Sequence, residues 1–216
     1  MSITLAEPDA RSLEAFCRRQ LKWSPGLAAR IVTSERSVGM FTTPPLGVMV
    51  FVAVPVQTAS DERIDRIVSL AAWADLIVSG ADVDPLQLSE VPVPVTSGPT
   101  LLDLPPSDGW QVPLKGLSGD LVPMVTAATA EFESRAAGLP PRGQETIADE
   151  IWGRAVWGGL PMRVLHAARQ LGMLAADSSI VQATTCGSWK RLSTARGQVF
   201  VPVDARTALL TLRADR

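Results

Sequence analysis

The chain has 216 residues, 46% of them apolar and 19% charged, with a formal net charge of −2. That mixture is globular, and a chain of this length buries enough surface to hold a core without disulfides or metal. A sequence pI near 5.5 argues against a strongly basic nucleic-acid binder, and no apolar run is long enough to cross a bilayer.

In chain order, Asp9 to Gln20 reads as a helix, with Ala10, Leu13, Phe16 and Cys17 at helical spacing and Asp9 as its N-cap. Ser24-Pro-Gly26 breaks it, and Leu27 to Thr33 is expected as a further short helix. Ser37 to Thr42 is expected as a short strand. Leu46 to Val56 is β-branched and apolar on both faces, as an interior strand is, and Pro55 ends it. Ser60 or Asp61 can cap a helix that runs to Val78 on Ile64, Ile67, Val68, Ala71, Ala72 and Leu76. Residues 1–84 therefore read as an α+β unit.

Eight prolines then fall between Asp82 and Pro123. Val91-Pro-Val-Pro-Val95 points to extended backbone at a sheet edge, and the recurring Leu101, Leu102, Leu104, Trp110 and Val112 mark 85–117 as a packed strap rather than a free linker. Asp82 and Asp84 form a D-x-D pair, too few oxygens for a cation cage and read as solvated loop carboxylates.

Residues 118–216 carry three helical patterns: about 121–137, 145–157 and 160–174. In the last, Leu160, Val164, Ala167, Ala168, Leu171 and Leu174 share a core stripe. Met162, Arg163, His166, Arg169, Gln170 and Met173 fall on the other side, a face of cations, imidazole and thioethers suited to docking. Strand-like runs follow at 180–185, 188–193 and 198–203, with Thr194-Ala-Arg-Gly197 as a hairpin turn. From residue 140 onward there are 10 basic and 6 acidic side chains, against 10 and 16 before it.

Three helices, the last ending in Leu171-Gly-Met-Leu174, then a hairpin, resemble the winged-helix superfamily over about 118–204. The resemblance implies a fold class of α+β with a winged-helix-like C-terminal half. It also implies that 160–174 takes the recognition position and that Lys190, Arg191 and Arg196 decorate the wing. In such a domain Arg163, Arg169 and Gln170 can reach base edges and the wing cations can grip phosphates. The same fold also serves in protein docking, which Met162 and Met173 favour.

Catalytic chemistry is not legible. His166 is the single histidine, and Cys17 and Cys186 lack metal-ligand spacing and are expected reduced. No phosphate loop, dinucleotide fingerprint or nucleophile elbow occurs. Neither a cofactor nor a metal is expected. The favoured reading is a non-catalytic, cytoplasmic adaptor or assembly protein, whose 160–174 face docks a protein partner or its own copy. The alternatives are a weak DNA-binding regulator, or a small-molecule-binding protein or enzyme with Trp152, Trp157 and Trp189 near a pocket.

Overall fold

A computed structural model describes residues 3–59, 63–79, 85–88, 90–96 and 99–203. The chain divides into two compact units, residues 1–104 and 105–216. The possible caps at Ser60 and Asp61 and the Asp82/Asp84 pair lie outside the described residues.

The first unit contains strand β1 (Ile3–Leu5), helix α1 (Glu7–Trp23), strands β2 (Ala28–Thr33), β3 (Ser37–Thr42), β4 (Met49–Pro55), β5 (Thr58–Ala59) and β6 (Asp65–Ser69), helix α2 (Leu70–Ser79) and strand β7 (Leu86–Leu88). Four strands run antiparallel in the order β6-β2-β3-β4, and a small sheet has the order β5-β1-β7. Alternation decides which residues face inward. Ile31 lies opposite Met40 and Met40 opposite Val52, all buried, whereas the half-buried row Ile67, Arg30, Phe41, Phe51 crosses the other face. Ala10, Leu13, Phe16 and Cys17 form the buried face of α1. Burial pushes the Cys17 thiol up to about 12, which makes it an inert apolar group.

The structure corrects three expectations in this unit. Residues 28–33 are strand β2, because Ile31 and Val32 are β-branched and lie between β3 and β6. The expected helix from residue 61 starts only at Leu70. Residues 65–69 form β6, whose apolar spacing is compatible with either period over so short a run. α1 begins at Glu7, with Ala6 rather than Asp9 at the cap position.

The second unit contains strand β8 (Gln111–Leu117), helices α3 (Ser118–Ala136), α4 (Pro141–Gly153) and α5 (Met162–Gln170), and strands β9 (Ile180–Cys186), β10 (Trp189–Thr194) and β11 (Gly197–Pro202). Its four strands run antiparallel in the order β11-β10-β9-β8. β8 precedes the helices yet pairs with β9 after them, Leu117 opposite Ile180 and Leu114 opposite Ala183. This arrangement is strand, three helices, three strands, so the expected trio of helices with a hairpin lacked the strand that closes it. The α+β class holds, with antiparallel strands in both units.

The Leu-Gly-Met-Leu phrase has a local cause. Gly172 takes φ +74°, the Met173 amide donates to the Ala168 carbonyl (2.8 Å) and the Gly172 amide donates to the Arg169 carbonyl (3.1 Å). That is a Schellman cap, which ends α5 after Gln170 and turns Met173 into the core. Among the described residues no helix is long and apolar enough to cross a membrane.

Leu171 is 1% exposed. Its replacement by Ala is expected to cost about 2–5 kcal/mol, read as a lower urea midpoint with unchanged slope. A loss under about 1 kcal/mol would contradict this packing.

Candidate functional site

The residues expected on one docking face occupy different environments. Met162 and Met173 are 5% and 2% exposed, so both belong to the core and the expected exposed thioethers are absent from the surface. For Met162 the reason is the entry to α5. Its amide donates to the Arg154 carbonyl (2.9 Å), and an isolated bridge joins Ala155 to Pro161, seating the first turn against the end of α4. Arg163 is half-buried, and among the described residues its buried Nε finds no hydrogen-bond partner. Arg169 and Gln170 are exposed, and Arg169 donates to the Leu174 carbonyl at 3.1 Å.

His166 is half-buried at the end of an aromatic ladder. Its ring centroid lies 4.2 Å from that of Trp152, which lies 5.7 Å from Phe132. One member comes from each of α5, α4 and α3. Burial holds the imidazole below its ordinary pKa, so it is neutral near pH 7. Beyond the ladder, ion pairs join α3 to α4 and to Arg154 at its C-terminal end. Glu131 on α3 accepts from Arg154 and Arg135, which hold its carboxyl down to about 2, and Arg135 also pairs with Glu150 on α4.

Lys190, Arg191 and Arg196 do not share one projecting wing. Lys190 and Leu192 point to one side of β10 and Arg191 to the other, as alternation requires. Lys190 Nζ donates to the Gly159 carbonyl at 2.5 Å. This clamps the turn Trp157–Gly159 onto the sheet, where Gly158 at φ +65° leaves no room for a Cβ against Ala183. Arg191 lies 4.2 Å over the Trp110 ring and donates through Nε to Thr184 Oγ1 (3.0 Å). Arg196 donates to the Gly172 carbonyl (3.2 Å) and pairs with Asp177 (3.3 Å). Each cation is tied to its own chain.

The apolar edge at β8 lies outside the residues expected to form a site. β8 has β9 as a neighbour and ends the strand order. Val112, Leu114 and Leu117 on it, and Ile180 beside it, are 47%, 38%, 42% and 63% exposed. Pro113 within an otherwise strand-like run was the available signal, because proline is tolerated at a sheet edge. Among the described residues no group of three or more His, Cys, Asp or Glu side chains could hold a metal ion.

Comparison with solved structures places the fold among bacterial sliding clamps. A Caulobacter crescentus pol III beta structure matches with a TM-score of 0.59 at 10% identity, over 95% of this chain and 66% of that one. A Pseudomonas aeruginosa DNA polymerase sliding clamp matches at 0.55 and 10% identity, over 94% and 63%. A Helicobacter pylori beta clamp bound to a DNA ligase peptide matches at 0.53 and 11% identity, over 95% and 66%. The chain thus spans just under two thirds of the length of these clamps, and at such identities the likeness is one of fold. It overturns the winged-helix resemblance. A family model described as a domain of unknown function (DUF8185) matches residues 105–206, beginning where the second unit begins. No curated protein matches the sequence.

His166 is the single histidine of the chain, so its titration is separable. As pH falls through the ordinary imidazole range, roughly 6.5, the unfolded chain takes up a proton that the folded chain resists. Unfolding free energy is therefore expected to fall as the pH drops from about 7.5 to about 5.5, the window that spans the ordinary imidazole pKa. A His166→Gln variant should flatten that slope. An equal slope in the two proteins would contradict the buried, neutral imidazole.

Proposed function

We propose, from the sliding-clamp fold, that this protein is a non-catalytic assembly protein that docks a protein partner or a second copy of itself. The carrying observation is the match to clamp structures over nearly the whole chain, one of them a clamp bound to a DNA ligase peptide. A fold whose solved examples include a peptide complex favours docking, though fold alone hosts many functions.

The charge arrangement supports the same reading. Lys190, Arg191, Arg169 and Arg196 donate to carbonyls, a hydroxyl, a ring face or a carboxylate of their own chain, so phosphate contact would compete with existing partners. The net charge of −2 adds no long-range attraction for a polyanion. Weak DNA binding is the second reading, favoured by the DNA polymerase context of the matched clamps.

Sedimentation over a range of protein concentration and salt, beside titration of a fluorescent duplex, separates the two. Assembly is expected to persist from about 0.05 to 0.5 M salt, because apolar burial is not screened, with no saturable duplex binding at about 0.15 M. A strict monomer whose duplex affinity falls steeply with salt, and weakens in Arg163→Ala/Arg169→Ala, would establish DNA binding instead.

A further inference from the structure

We infer that the free edge of β8 is a strand-addition site for an extended, apolar partner peptide carrying an acidic residue. This rests on the assembly reading above and gives it a place and an occupant. Three observations converge. First, β8 ends the strand order, so its outward amides and carbonyls among residues 114–117 have no strand to pair with among the described residues. An unpaired edge is a template for another chain.

Second, the apolar side chains along this edge are uncovered, Leu117 and Ile180 lying opposite one another on one face. The first unit treats its own edge differently. There the Val95 amide donates to the Ile67 carbonyl (2.9 Å) and Pro94 bridges Val68, so residues 94–95 cover β6. The described chain caps that edge and leaves β8 open.

Third, the charge pattern selects the occupant. Lys115 is the one charged residue of β8, β9 has none, and among the described residues Lys115 has no ion pair. A lysine on an edge discourages self-pairing, because a second β8 brings another lysine and no carboxylate. A strand with Asp or Glu across from Lys115 removes that penalty and gains an opposite-charge cross-strand pair. The bulge between Gln111 and Leu114 confines regular pairing to 114–117.

The test uses the full chain and two short synthetic peptides that alternate Val and Thr, one with a central Glu and one with a central Lys. Affinity is read by fluorescence anisotropy, and the site by hydrogen exchange. The Glu peptide is expected to bind about two- to fivefold more tightly than the Lys peptide. Exchange at the outward amides of 114–117 should slow by at least about tenfold on binding. Lys115→Glu, an exposed change, should reverse the preference. Binding that ignores both charge swaps, or that slows exchange elsewhere but not at 114–117, would overturn the β8 site while leaving the assembly reading intact. Binding of neither peptide at millimolar concentration overturns the site as well, and the sedimentation series then decides the assembly reading separately. Dimerisation of the wild type with slowed exchange at 114–117, without peptide, would replace the partner peptide by a second copy.

Discussion

The second unit depends on one long-range pairing, β8 with β9. Leu117 lies opposite Ile180, and all three helices of the unit lie between them in sequence. Closing so long a loop costs conformational entropy, which the new ladder and the burial beneath it must offset. The gain is concrete. Ser118 Oγ donates to the Ala175 carbonyl (2.7 Å) and accepts from the Ala175 amide (2.9 Å), so the start of α3 is fixed to the entry of β9. Gly116 passes under the Trp157 ring, and Ala183 supports Gly158. The turn before α5 is thereby held on the β8–β9 ladder.

From that constraint follow the features that bear on function. The Trp157–Gly159 turn and the Schellman cap at Gly172 fix both ends of α5 and bury Met162, Leu171 and Met173. The two thioethers of the face expected to dock are thus spent inside the unit, while Arg169 and Arg196 hold the carbonyls of Leu174 and Gly172. The same pairing that builds the unit leaves the other edge of β8 open, and that edge carries exposed Val112, Leu114 and Leu117. An assembly function located at this edge follows from the sheet order rather than from any single motif.

The legible parts of the sequence were those governed by local period. The helical spacing of α1, α3 and α4, the short strand at 37–42, and the β10–β11 hairpin all depend on neighbours a few residues apart. Misreadings arose where two periods fit or where pairing was distant. Ile64, Ile67 and Val68 satisfy a helical spacing, yet 65–69 pairs with β2 because Ala29 and Ile31 need a covered edge. Gln-Val-Pro-Leu-Lys-Gly-Leu at 111–117 has a proline and a glycine, which demote a strand when no partner is visible in sequence. Its partner lies beyond three helices. Leu171-Gly-Met-Leu174 is shared by a helix cap and a winged-helix junction, and missing β8 made the second reading look complete. The candidate site was less legible still, since continuing the helical phase through Gly172 put Met173 on the surface, and the cap reverses that.

Hydrogen exchange of the free protein, resolved to single amides across 111–117, tests the closing pairing most directly. A one-sided edge strand should show alternation, with amides directed at β9 protected and outward amides exchanging fast, while β9 itself is protected on both sides. Uniformly fast exchange through 111–117, with protection in β9 confined to the amides facing β10, would mean that β8 does not close the unit, and both the fold account and the β8 docking edge would fall with it.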